Sequence, residues 1–245
     1  MKTPVRLLTL ALIVVPAVPV LAATGAVPTG SATVASYTFD DGATAAGRVA
    51  ENSGRGLPLT VRTADRGVLR FFAGTSGRYV GFPVPCAKSV TDCPRALLEA
   101  ADDADLNPGT RTFSWGAGIN VTRAQIAGSS NIMQKGVSNA DSQWKMQIGA
   151  KTGKVQCVVV GRGSATPYVV RSSASIADGR WHRVLCQRSG TTLTVFVDGV
   201  SHGRIVVPAD LSLENTHPLR IGGPNFNTTS DMYHGYLDDV YALLG

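Results

Sequence analysis

The chain has 245 residues, of which 44% are hydrophobic, with 23 basic and 17 acidic side chains and a net charge of +6. That length can bury the core of one sizeable domain. The basic residues alternate with apolar ones, as in Trp181-His182-Arg183-Val184 and Leu219-Arg220-Ile221. They do not gather into the basic stripe of a nucleic-acid protein, so no nucleic-acid partner is expected.

In chain order, residues 1–22 come first. They carry Lys2 and Arg6, an apolar run over 7–15, and small residues at Ala22-Ala23. This is the pattern of a secretory signal peptide, too short in its apolar part to span a bilayer. Its removal leaves 21 basic against 17 acidic side chains, a mild excess. A secreted, extracellular protein without a membrane span in its mature chain is expected. Residues 23–33 read as a lead-in, and 34–245 as one domain.

Within that domain the apolar residues recur at period two, between clusters of Gly, Pro, Asn and Asp. Val34 to Phe39 opens it. The stretch 95–103 has helix-forming composition after Pro94, yet fits a buried strand running into an acidic loop; a strand is expected. Over 111–121, alternation puts Phe113, Trp115, Ile119 and Val121 on one side. Residues 143–148, 154–160 and 180–188 alternate similarly. Asp198-Gly199 supplies the two positive-φ residues of a type I′ hairpin turn. The last run is 236–243. Many short strands with turns between them predict an all-β sandwich or barrel.

Four cysteines in an exported chain favour disulfides. Cys86 and Cys93 flank a polar loop, and Cys157 and Cys186 sit inside strand-like runs. Three pairings exist, of which 86–93 with 157–186 is the most local. Buried free thiols at 157 and 186 are the alternative. No CxxC pair supports zinc.

The run Asp178-Gly179-Arg180-Trp181-His182-Arg183-Val184, then Leu193-Thr194-Val195-Phe196-Val197-Asp198-Gly199, resembles the "dG.WH.V" strand and "L.vyvDG" hairpin of laminin-G-like, concanavalin A-like domains. Tyr37-Thr38-Phe39-Asp40 resembles that family's opening strand, Glu51-Asn52-Ser53-Gly54-Arg55-Gly56 its "D.SG.g" turn, and Gly235-Tyr236-Leu237-Asp238-Asp239-Val240 its closing "G.iDdV" strand. The resemblance implies an all-β, two-sheet antiparallel β-sandwich of the jelly-roll kind, and a monomer is expected. It also implies a structural Ca²⁺ near the junction of the first and last strands, with Asp40 and Asp238 as the matching residues; backbone carbonyls would complete its oxygen ligands. Trp181 is expected between the sheets, His182 alternating outward from it, and Asp198 serving the turn.

Glycosidases need two carboxylates flanking the scissile bond. The three glutamates, Glu51, Glu99 and Glu214, belong to no E-x-D-x-x-E motif, and the marks of alginate lyases, G-x-S-x-G and HExxH are missing. No catalytic residue is assigned. Recognition is the expected role, with a carbohydrate or an extracellular protein as partner. Loops carry most recognition, and the loop 223–234 mixes amides and aromatics, making Asn225, Phe226, Asn227 and Tyr233 the candidate binding residues. Asn227-Thr228-Thr229 and Asn120-Val121-Thr122 match glycosylation acceptors, but the composition is bacterial in type and no glycans are expected there.

Overall fold

The computed structural model describes residues 30–87, 89–137, 141–227 and 231–245. Residues 1–22, read above as a signal peptide, and most of the 23–33 lead-in lie outside the described residues. The strands are β1 (Ala32–Tyr37), β2 (Arg48–Val49), β3 (Leu59–Ala64), β4 (Arg70–Gly74), β5 (Gly77–Gly81), β6 (Arg95–Ala100), β7 (Phe113–Thr122), β8 (Ser130–Gly136), β9 (Gln143–Ile148), β10 (Lys154–Val160), β11 (Pro167–Ser175), β12 (Asp178–Ser189), β13 (Thr192–Val197), β14 (Val200–Val206), β15 (Leu219–Ile221) and β16 (Tyr236–Leu244). The ambiguous stretch after Pro94 is a strand to Ala100; a single 3₁₀ turn, Ala104–Leu106, follows.

The strands form two antiparallel eight-stranded sheets. The front sheet runs β14-β13-β12-β7-β16-β5-β4, with β1 also on β16, and the back sheet runs β11-β10-β9-β8-β15-β6-β3-β2. The fold is the expected all-β sandwich. Alternation builds the layer between the sheets. Phe113, Trp115, Ile119 and Val121 of β7 are fully buried, facing Trp144, Met146 and Ile148 of β9. Phe113, Trp115 and Trp144 pack ring against ring at 5.1–5.6 Å, an arrangement worth more than its buried area alone. Val155 and Val159 flank Cys157 on the core face of β10, while Val184 flanks Cys186 on β12.

Both disulfides take the most local pairing, Cys86–Cys93 and Cys157–Cys186. The first closes a loop; the second ties the back sheet to the front sheet through the core. One cation is buried with them: Lys135 of β8 is fully enclosed, its ammonium donating to Asn107 Oδ1 (2.8 Å), the Asn215 carbonyl (2.6 Å) and Asp102 Oδ1 (2.7 Å). A buried ammonium is tolerable only when its donors are satisfied in this way. Arg188 is buried too, and it donates to the carbonyls of Thr110, Arg111 and Ala209.

Candidate functional site

A groove of about 800 Å³ crosses the outer face of the front sheet. Its floor comes from β7, where the outward positions Gly116 and Gly118 carry no side chains. A Cβ at Gly116 would lie 2.6 Å from the Tyr241 ring, so glycine is what lets Tyr241 of β16 lie across the strand. The next outward positions complete the lining: Arg183 and Leu185 on β12, Phe196 on β13, and Tyr79 on β5. A bulge makes Asp238 and Tyr241 both point outward. The β16–β7 register shifts between them, and Asp239 takes φ +45°.

Trp181 lines this groove and is 43% exposed. The expectation that it packs between the sheets is therefore corrected. Counting by two along β12 gives the reason: Val184 and Cys186 face the core, so His182 shares their side and Trp181 takes the other. The same alternation is readable in the sequence from Val184 and Cys186 backwards. Trp181 packs edge-on against Tyr79 at 5.2 Å, and Tyr79 joins Phe72 and Tyr236 in a half-exposed aromatic cluster. Aromatic side chains of this number on one outer face are unusual for a surface whose only task is solubility.

His182 is likewise corrected from an outward position. Its side chain is 14% exposed, with Nδ1 2.8 Å from Asp198 Oδ2 and Nε2 3.1 Å from Asp178 Oδ1. Asp198 does shape the hairpin turn, at φ +52° with Gly199 at +79°. It also accepts from the Arg183 backbone N–H at 2.8 Å, so both its oxygens are engaged.

Asp40 and Asp238 are close enough that the charge of one acts on the other. Burial first, then the charges of Asp239 and Asp40, push the Asp238 carboxyl up to about 6, against the pull of Arg183. Asp40 Oδ1 accepts from the Arg78 N–H at 2.8 Å. Among the described residues no group of three or more His, Cys, Asp or Glu side chains is placed to hold a metal ion. The donor set here is all oxygen, which suits calcium rather than a transition metal.

The candidate binding loop is placed elsewhere. None of Asn225, Phe226, Asn227 and Tyr233 lines the groove. Tyr233 is 1% exposed, its ring against Phe82 and its hydroxyl bonded to the carbonyls of Asn120 and Tyr236 at 3.0 and 2.9 Å. It is a core residue with no face for a ligand. Phe226 lies under the Arg95 guanidinium at 5.6 Å and accepts from it through its carbonyl. The Asn225 side chain accepts from the Asn227 N–H at 2.8 Å, holding a local turn. Asn227 is exposed, but its partners Thr228 and Thr229 lie outside the described residues. Among the described residues no helix is long and apolar enough to cross a membrane.

A laminin-G family model, described as concanavalin A-like lectin/glucanases superfamily, matches residues 98–243. No curated protein matches the chain. Among solved structures it is similar to domain 4 of AbnA, a GH43 extracellular arabinanase from Geobacillus stearothermophilus in complex with arabinotriose. The TM-score is 0.66 at 14% identity, over 88% of this chain and 93% of that one. It is also similar to botulinum neurotoxin type C, whose cell entry depends on interaction with two ganglioside molecules (TM-score 0.62, 13% identity, 86% of this chain and 47% of that one). A third is the binding domain of Paraclostridial Mosquitocidal Protein 1 (TM-score 0.62, 11% identity, 86% and 48%). At these identities the likeness is one of fold.

Proposed function

The chain belongs to the concanavalin A-like lectin/glucanases superfamily, and from that premise we propose that it is a non-catalytic, glycan-binding module that works outside the cell. The groove on the front sheet carries this reading. Trp181, Tyr79 and Tyr241 offer flat apolar faces to the C–H side of a sugar ring. Arg183 and Asp238 stand beside them as planar groups that pair with vicinal hydroxyls. A concave, mainly apolar surface with a few polar groups is the usual form of a small-molecule site. The arabinanase domain with arabinotriose and the ganglioside-dependent neurotoxin support sugar as the ligand class. Two disulfides fit an oxidising, extracellular setting. Binding is favoured over turnover because the sequence carries none of the glycosidase or lyase motifs, and of the groove's carboxylates Asp198 is taken up by His182 and the Arg183 N–H. Asp40 and Asp238, with backbone carbonyls, are the residues that would hold a structural calcium; the ion would supply charge neutralisation between the first and last strands.

The test is a glycan array probed with wild-type protein and Trp181→Ala. Saturable binding that falls roughly tenfold or more in the variant, ~1.4 kcal/mol, is the expected outcome. Silence across the array together with a protein partner in a pulldown would overturn the glycan assignment. Release of sugar product from any polysaccharide would overturn the non-catalytic one.

A further inference from the structure

Trp181, on which the glycan reading depends, sits where the regular strand ladder fails. The β12–β7 register shifts between Asp178 and Trp181, and Gly179 takes φ +78°. The ladder resumes at Trp181, opposite Asn120, and side chains brace the backbone around the break. Asp178 Oδ1 accepts from the Arg180 N–H at 3.0 Å, and Asp198 Oδ1, from the β13–β14 turn, accepts from the Arg183 N–H at 2.8 Å. These two carboxylates thus grip the chain on either side of Trp181. His182 stands between them, with one ring nitrogen on each.

An ionised carboxylate only accepts hydrogen bonds. Both contacts therefore hold only when both nitrogens of His182 are protonated. A neutral ring has one N–H and would turn a bare lone pair toward the second carboxylate. We propose that His182, as an imidazolium bridging Asp178 and Asp198, is the positioning residue that holds Trp181 in the groove, so that ligand binding there weakens as the ring loses its second proton. The inference rests on the groove being the ligand site.

The electrostatics agree with the geometry. Burial pulls the His182 ring down, but its hydrogen bonds to Asp198 and Asp178 and their charges outweigh that and raise it above its ordinary 6.5. Asp178 lies below the usual carboxylate range through its hydrogen bonds from the Arg180 backbone and side chain and then from His182. Burial pushes Asp198 up, yet His182 and the Arg183 N–H bring it below its ordinary value. Both carboxylates are thus ionised wherever His182 titrates. The other charged groups facing the cluster are Arg180 and Arg183 on the same strand, and His202 on β14, which acts on Asp198. Because the folded-state value is raised, the bridge is complete below 6.5 and is lost as the pH climbs through the higher folded value.

The experiment follows His182 by ring-proton NMR from pH 5.5 to 9.5. In parallel it measures iodide quenching of Trp181, taken as the difference between wild type and Trp181→Phe. Retention in native gels containing arabinan supplies the ligand arm. The expected result is a Trp181 quenching step at the His182 midpoint, with arabinan retention falling over the same range. Asp178→Asn and Asp198→Asn keep an oxygen acceptor and remove a charge. Each should move both midpoints down together, by about 1 pH unit, whereas a purely structural role would lower retention without moving any midpoint. His182 titrating at or below 6.5, or Trp181 quenching unchanged while the ring titrates, overturns the inference. If the coupled midpoints appear but neither arabinan nor any glycan of the array is retained, the glycan reading fails and the link between His182 and Trp181 stands.

Discussion

The Glu51 carboxylate holds a turn and a strand together with few atoms. Its Oε1 accepts from Ser36 N–H of β1 (2.7 Å), Ser53 N–H (3.0 Å) and Ser53 Oγ–H (2.6 Å), and its Oε2 accepts from Gly54 N–H (2.9 Å). Burial pushes this acid up, but the four donors outweigh it and leave its pKa below the ordinary 4.5. Hydrogen bonds to a charged acceptor contribute about 1.5–3 kcal/mol, so Glu51→Gln, which turns an NH₂ toward one of these donors, is expected to cost that much in urea denaturation at pH 7. Because the folded pKa is depressed, the contribution is present above 4.5 and is lost as the pH falls through the folded value. The gap between wild type and variant should therefore close on acidification. A gap that stays constant down to pH 3 would mean the carboxylate's charge is not what anchors the turn.

At the scale of elements, β16 serves two partners along one edge. Its Tyr236-Leu237 end pairs with β5 and its Val240 to Leu244 end pairs with β1. The Asp238-Asp239 bulge falls between them, with Asp40 just beyond the end of β1. The calcium reading belongs to this break in the sheet. With the affinity of an extracellular calcium module, roughly 10⁻⁴–10⁻³ M, about 5 mM calcium should raise the melting temperature by roughly 2–9 °C, and EDTA should reverse the shift. Asp238→Asn should show neither change, and equal melting curves with calcium and EDTA in the wild type would dismiss the ion. Elements of this kind were mostly legible in advance. The β7 alternation named its buried face residue by residue, and Asp198-Gly199 named its turn, because both signals depend on neighbours in sequence. The groove was not legible, since it is assembled from β5, β7, β12, β13 and β16, and a sequence does not show which strands lie side by side. The 223–234 loop misled for a related reason. Tyr233 has the composition of a recognition residue, but Asn120 and Phe82, far away in the chain, enclose it.

For the molecule as a whole, the Cys157–Cys186 bond is the covalent tie between the two layers, closing a separation of 29 residues. A cross-link of that span is worth about 2–5 kcal/mol when removed from a native domain. The double substitution Cys157→Ala with Cys186→Ala is expected to lower stability by this amount, read as a lowered denaturation midpoint, with a steeper slope because the uncross-linked denatured chain exposes more surface. Replacing Cys86 and Cys93 should matter less, because their loop lies at the surface and spans 7 residues. Equal losses from the two pairs would contradict the idea that cross-layer tying is the source of the effect. The position of β16 carries a consequence of another kind. The last strand of the domain, β16, lies in the interior of the front sheet, with β7 on one side and β1 and β5 on the other. Until residues 236–244 have been made, β1 and β7 have exposed ladders and Trp115 has only part of its cover. A nascent chain that has not yet reached β16 is thus left with unpaired edges, and contacts that close across so much of the sequence form slowly. The architecture makes folding of this domain an all-at-once event that waits for its closing strand.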